Sequence, residues 1–146
     1  GLKNFIHHHN MINNPVHFYE FEDFDNAEKL GEFWKSIIKS HPKMKAIFFT
    51  NSRAYRIVND MSELEANKYC IIGFDLISPN ITLMKGDKID FIINQNPIQQ
   101  GYLGIMNFVN HFVLKKQIRQ IQYLPLDIVV KENVDFYIDN VRSNIS

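Results

Sequence analysis

The sequence predicts an α/β fold: a three-layer arrangement in which a parallel sheet carries helices on both faces. Three observations carry that prediction. Strand-like and helix-like segments alternate from residue 16 to 73, the strand runs Lys45–Phe49 and Tyr69–Ile72 carry continuous and not alternating apolar stretches, and the connections between segments are short. Strand–helix–strand units with short connections close into parallel sheets through right-handed crossovers. Strands covered on both faces read as unbroken apolar stretches and not as alternating ones.

Residues 2–9 have the pattern of a helix end, which Asn10, Asn13, Asn14 and Pro15 break. Val16–Phe21 is a β-rich run bounded by those breakers, and the acidic loop Glu22-Asp23-Phe24-Asp25 follows it. Asp25 stands three residues before Glu28, a capping-box spacing, and Ala27, Leu30, Phe33, Trp34, Ile37 and Ile38 recur at helical spacing. A helix from about 26 to 40 is expected, closed by His41-Pro42 because the residue before proline leaves the α region. Lys45–Phe49 is then a strand, and Thr50-Asn51-Ser52 supplies caps for a helix over 53–65 that turns Ala54, Ile57, Val58, Met61 and Leu64 inward. Tyr69–Ile72 is the next strand, ended by Gly73.

Ser78–Asp87 reads as turn-rich and Lys88–Ile93 as a fourth strand. Asn96-Pro97 starts a helix, with Asn as cap and proline at the first helical position. It should run through Ile105, Phe108, Val109 and Phe112 to Lys115-Lys116, whose charges complement the C-terminal dipole. Tyr123–Val130 is expected as the last strand, and the polar tail after Tyr137 as a fraying end.

The chain has 146 residues, room for one domain with a core of ordinary size and no need of disulfides. Sixteen Lys and Arg balance sixteen Asp and Glu, so these residues lack the basic surplus that binds phosphate backbones. Cys70 is the single cysteine, which excludes an intramolecular disulfide and a Cys-based zinc site. No apolar run approaches the roughly 18 residues needed to cross a bilayer. The start, Gly1-Leu2-Lys3-Asn4, resembles neither a signal peptide nor an initiator methionine, and the chain is expected to begin inside a longer gene product.

Enzymatic motifs are absent. Gly101-Tyr102-Leu103-Gly104 lies in a helical pattern without phosphate-loop spacing, Ser52 and Ser78 lack flanking elbow glycines, and Cys70 sits in an apolar strand. His7-His8-His9 with His17 suggests a metal. Consecutive helical residues point about 100° apart, so the three cannot all reach one ion, and a solvated surface is the better reading. Glu20, Glu22, Asp23 and Asp25 could form a cation site or an acid/base pair. A solvated loop favouring the next helix N-terminus explains Glu20 and Glu22 as well, and Phe24 and Asp25 stay in play.

In open α/β sheets ligands bind beyond the carboxyl ends of the strands. That rule selects the loops at 22–25, Thr50–Ser52 and Phe74–Leu76; Gln95–Pro97 follows a fourth strand, whose end the sequence does not assign to the same crevice. Singly, each residue has a structural explanation as a cap or a turn. Together they offer amides, a carboxylate and an aromatic, the inventory that binds a polyhydroxylated small molecule. A binding module is expected, with no catalysis, no metal and no cofactor.

The ordered set Ile47-Phe48-Phe49-Thr50-Asn51-Ser52, Ile71-Ile72-Gly73-Phe74-Asp75, Ile89–Pro97 with Gln100-Gly101, and Leu124–Asn133 resembles the effector-binding domain of lac-repressor-type transcription regulators, in its Bacteroidota version. That family has the fold of type I periplasmic sugar-binding proteins, two lobes with a sugar between them. The resemblance implies that this chain is the second, C-terminal part of such a domain. Residues 1 to about 91 and 131–146 would fall in the C-terminal lobe, and 95–130 in a portion of the N-terminal lobe. It implies ligand contacts at Asn51, Asp75 and Gln95, and an aromatic stacking on sugar at Phe24. Ser52 and Leu76 depart from acidic residues common at those places, which leaves the sugar's identity open. Implied as well are a cytoplasmic location, DNA binding only through an N-terminal helix-turn-helix outside this chain, no membrane contact, and a homodimer. Helix 53–65 with Tyr55 is a candidate dimer face. A periplasmic sugar-binding protein or sensor-kinase input domain of the same fold is the alternative, distinguished by the sequence upstream of Gly1, and an enzyme using His7-His8-His9 and the acidic residues with a metal comes third.

Overall fold

A computed structural model describes residues 15–143, with side chains described through Asp139. The expected helix at 2–9 and the histidines at 7–9 lie outside the described residues. Helix α1 (Ala27–Ser40) begins one residue later than the Asp25–Glu28 spacing implies: Asn26 is the cap, its Oδ1 accepting from Lys29 N at 3.0 Å. Leu30 and Ile37 are its buried positions, and Trp34 meets Tyr69 edge-on at 6.4 Å.

Strands β1 (Ala46–Phe48), β2 (Cys70–Phe74), β3 (Phe91–Asn94) and β4 (Asp127–Val129) form one open sheet in that order. The first three are parallel, with Ile47 opposite Ile71 and Gly73 opposite Ile92. Strand β4 runs antiparallel to β3, Val129 opposite Ile92, so the sheet is mixed and not wholly parallel. Ile71, Ile92 and Val129 share its buried face and join Leu30, Ala54, Val58, Met84 and Val134 in the core. The strand runs on through Gly73, because a Cβ there would lie 3.3 Å from the Ala54 Cβ and glycine lets the neighbouring turn sit close.

Several expectations are corrected. Val16–Phe21 forms no strand. Its aromatic side chains cover α1 instead, Phe21 stacked on Phe33 at 4.7 Å and Tyr19 edge-on to Phe33 at 6.1 Å. Strand β1 is consequently an edge of the described sheet, with Phe48 36% exposed, and not a strand buried on both faces.

The helix expected over 53–65 is three short pieces: a 3₁₀ turn at Ser52–Ala54, α2 (Tyr55–Val58) and α3 (Glu63–Ala66). A capping box between Ser62 and Glu65 restarts the chain after Asn59–Met61. That break turns Leu64 outward, 81% exposed, while Ala54, Ile57, Val58 and Met61 are buried as expected.

The stretch read as turn-rich contains helix α4 (Ser78–Lys85), with Pro79 in its first turn where its missing N–H costs nothing. Helix α5 (Pro97–Phe108) passes into a π turn at Val109–Val113 and stops short of Lys115. Asn96 precedes it with a left-handed backbone, φ 52°, and makes no side-chain cap. No residue of α5 is buried, and Ile98, Tyr102, Ile105 and Phe108 are exposed. Strand β4 is shorter than expected because Pro125 lacks the ladder donor. The tail as far as Ser143 is helix α6 (Val134–Ser143) and not a fraying end, and residues 144–146 lie outside the described residues. Among the described residues no helix is long and apolar enough to cross a membrane.

Candidate functional site

Because β1, β2 and β3 are parallel, their carboxyl ends share one edge, and Asn51, Asp75 and Gln95 each follow one of those ends. Asn51 accepts at Oδ1 from Arg53 N at 2.9 Å, capping the 3₁₀ turn. Asp75 has a left-handed backbone, φ 65°, a conformation Asp tolerates better than most residues. Its N–H donates to Ile93 O at 3.0 Å, which extends the β2–β3 ladder by one rung and fixes where the carboxylate emerges. Gln95 donates from Nε2 to Asp75 Oδ1 at 3.2 Å, and its own carbonyl accepts from Gln100 Nε2 at 2.6 Å. Carboxylate and amide thus hold each other in place across two adjacent strand ends.

Phe24 enters the same edge through Arg53, whose guanidinium carbon lies 5.4 Å from the ring centroid. The ring also meets Phe21 edge-on at 5.5 Å, so one side is anchored to the aromatic cover of α1. Beside it Asp25 pairs with Arg56 at 3.1 Å, tying the 22–25 loop to α2.

Asn80 is the residue that sequence reasoning missed. It is fully buried at the start of α4, and its amide joins two site loops. Oδ1 accepts from Tyr55 N at 3.1 Å, while Nδ2 donates to Ser52 O at 2.9 Å, Phe74 O at 3.0 Å and, more weakly, Asp75 O at 3.3 Å. It lies within Ser78–Asp87, which reads as turn-rich from sequence. The one available signal was that an Asn in the third position of a proline-started helix has a side chain free to reach elsewhere.

The four residues named from sequence therefore lie along one chain of contacts: Phe24 to Arg53, Arg53 N to Asn51, the Arg53 turn through Ser52 to Asn80, Asn80 to Asp75, and Asp75 to Gln95. A groove of about 440 Å³ opens separately between α5 and the returning 119–126 segment. Gln95, Gln100, Asn107 and Arg119 help line it; Phe24, Asn51 and Asp75 do not.

The acidic loop is a set of exposed ion pairs, with Asp23 on Lys29 at 3.0 Å as well as Asp25 on Arg56. His17 stacks on His41 with ring centroids 4.1 Å apart, and Tyr19 hydrogen-bonds His41. Among the described residues no three His, Cys, Asp or Glu converge on a point where an ion could sit. Burial and the nearby Asp90 carboxylate push the Cys70 thiol up, away from the reactive thiolate.

A family model described as a periplasmic binding protein domain matches residues 9–116. A comparison with curated protein sequences gives no significant match. Among solved structures, the chain is 30% identical to a protein from Bacteroides fragilis assigned as a LacI transcriptional regulator, with a TM-score of 0.65 over 80% of this chain and 39% of that one. It is 24% identical to an Actinobacillus succinogenes transporter solute-binding protein with bound D-allose, with a TM-score of 0.64 over 76% of this chain and 40% of that one. An Agrobacterium vitis solute-binding protein bound with α-D-tagatopyranose is 21% identical, with a TM-score of 0.70 over 82% of this chain and 40% of that one. The chain spans about two-fifths of the length of these structures. Its mixed sheet flanked by helices is the type I periplasmic-binding-protein fold, and the chain belongs to the periplasmic binding protein domain family.

Proposed function

We propose that this chain is part of a carbohydrate-binding domain and that it senses its ligand for a LacI-type transcriptional regulator. The observation that carries the reading is the run of contacts from Phe24 through Arg53 and Asn80 to Asp75 and Gln95 along the carboxyl edge of the sheet. Carboxylate and amide groups exchange hydrogen bonds with vicinal hydroxyls, and an aromatic covers an apolar sugar face. Among the described residues no activated nucleophile or proton-transfer pair accompanies them, which favours binding over catalysis.

The regulator reading over the transporter reading is supported by the 30% identity to the Bacteroides fragilis protein, against 24% and 21% for the two solute-binding proteins. In this reading residues 1 to about 91 and 131–146 form the C-terminal lobe, and 95–130 contribute to the other lobe, with β4 pairing on β3 as the chain returns. The uncovered apolar side chains of α5 are then the surface on which the rest of that lobe packs. Lobe closure on the ligand biases a two-state equilibrium that a DNA-binding segment reads. The protein would act in the cytoplasm as a homodimer. A periplasmic binding protein or sensor input domain is the second reading, favoured by the folds bound to D-allose and α-D-tagatopyranose.

Isothermal titration of the full-length protein against a carbohydrate panel tests the proposal. One or more sugars should bind, and Asp75→Ala should weaken that binding at least about tenfold. Absence of binding by any carbohydrate, or an Asp75→Ala protein that binds like the parent, refutes it.

A further inference from the structure

Arg53 stands out at the candidate site because it is a cation without a carboxylate partner. All sixteen Asp and Glu of the chain lie between Glu20 and Asp139, within the residues whose side chains are described. Among the described side chains four lysines and arginines are paired, Lys29 with Asp23, Arg56 with Asp25, Lys85 with Asp135 and Lys131 with Asp87; Arg53 is not among them. Its contrast with Arg56 is informative, since the two are one helical turn apart and face the same acidic loop. Arg56 takes Asp25, whereas Arg53 lies over Phe24, the aromatic of the candidate site. Asp75, the site's carboxylate, is engaged by Gln95 and is not ion-paired to Arg53.

We infer that Arg53 makes this site selective for an anionic carbohydrate, one that carries a carboxylate or phosphate group beside its hydroxyls. The inference rests on the carbohydrate-binding reading above. A guanidinium offers a planar fork of donors that matches a carboxylate or phosphate with two parallel hydrogen bonds. Covering Arg53 with a neutral sugar would strip its hydration and return no charge, and a desolvated unpaired ion is costly. An anionic group seated over the Phe24 edge converts that cost into a charge-assisted pair, while the Asp75 carboxylate and the Gln95 amide remain for hydroxyls at the other end of the ligand. Asp75 and Arg53 then select orientation as well as class, because reversing the ligand would set its anion against Asp75.

The test is isothermal titration of the full-length protein with matched pairs: D-galactose against D-galacturonate, D-glucose against D-glucuronate, and D-glucose against D-glucose 6-phosphate. The acidic member of at least one pair should bind about tenfold more tightly or better, and the uronate and phosphate arms tell which anion is taken. Arg53→Gln should erase that preference, while Arg53→Lys should retain part of it. The preference should also shrink as salt is raised from about 0.01 M to 0.15 M. Neutral sugars binding as tightly as their acids, or a preference that survives Arg53→Gln, overturns this inference and leaves carbohydrate binding standing. Binding of no carbohydrate of either kind overturns both.

Discussion

Replacing Asn80 by alanine should loosen the site and the fold together. Its side chain is fully buried and serves Tyr55 N, Ser52 O and Phe74 O at 2.9–3.1 Å, with Asp75 O at 3.3 Å as a weaker fourth. Truncation leaves one backbone donor and at least two acceptors without these partners. An orphaned buried polar group costs about 1–3 kcal/mol, and carbonyls sit at the low end because they keep a second lone pair. A water admitted to the vacated space returns part of the loss. The sum is a destabilisation of about 2–5 kcal/mol, a large share of the roughly 5–15 kcal/mol that holds a domain folded.

Asn80→Asp sharpens the test. The same shape then turns a carboxylate oxygen toward three carbonyl oxygens, so burial and repulsion raise its folded pKa above the unfolded value. A raised acid pKa means that stability is present at low pH and lost as pH rises through the folded value. At pH 7 Asn80→Asp should therefore be less stable than Asn80→Ala, and the gap should narrow at pH 5. Urea unfolding followed by circular dichroism at both values measures this. An Asn80→Ala loss below about 0.5 kcal/mol, or an aspartate variant that gains nothing on acidification, would show that Asn80 does not clamp these loops.

Two further outcomes follow from local electrostatics. The Ser62 backbone N–H and hydroxyl both donate to Glu65 at 3.0 Å and hold its carboxyl below the ordinary carboxylate value. This lowered pKa stabilises the fold above the unfolded value of about 4.3 and the benefit disappears as pH falls through the folded one. Ser62→Ala should move the Glu65 titration upward by NMR, and an unchanged titration would deny the capping box. The Cys70 thiol, pushed up by burial and by Asp90, should react with iodoacetamide at pH 8 several-fold more slowly than free cysteine and catch up once urea unfolds the chain. Equal rates in the native protein would contradict its placement in β2.

Much of the fold was legible because it depends on short-range pattern. Helix α1 follows from the spacing of Leu30, Trp34 and Ile37, and the parallel strands follow from the unbroken apolar runs at Ile47–Phe49 and Cys70–Ile72. The failures share a cause. Val16–Phe21 has strand-like residues, but its aromatics pack on α1 and no described strand pairs with its backbone. Helix α4 was hidden because Ser78-Pro79-Asn80 is both a turn sequence and a sound helix start, and local chemistry does not choose between the two. Strand β4 was legible as a strand, yet its antiparallel direction depends on how the chain returns from α5.

The sequence by itself determined the α/β class, the single cysteine, and that the loops at Thr50–Ser52, Phe74–Leu76 and Gln95–Pro97 follow strand ends, since each of these depends on residue identity over a few neighbouring positions; the 22–25 loop follows no strand. Only the tertiary structure decided that Phe24, Asn51, Asp75 and Gln95 share one edge through Arg53 and Asn80, residues with no local signature. Most of those contacts join positions separated by 20 or more residues, as Asp75 and Gln95 are, and are set by packing. A buried amide or an unpaired guanidinium is defined by what surrounds it, and one-dimensional spacing does not encode that.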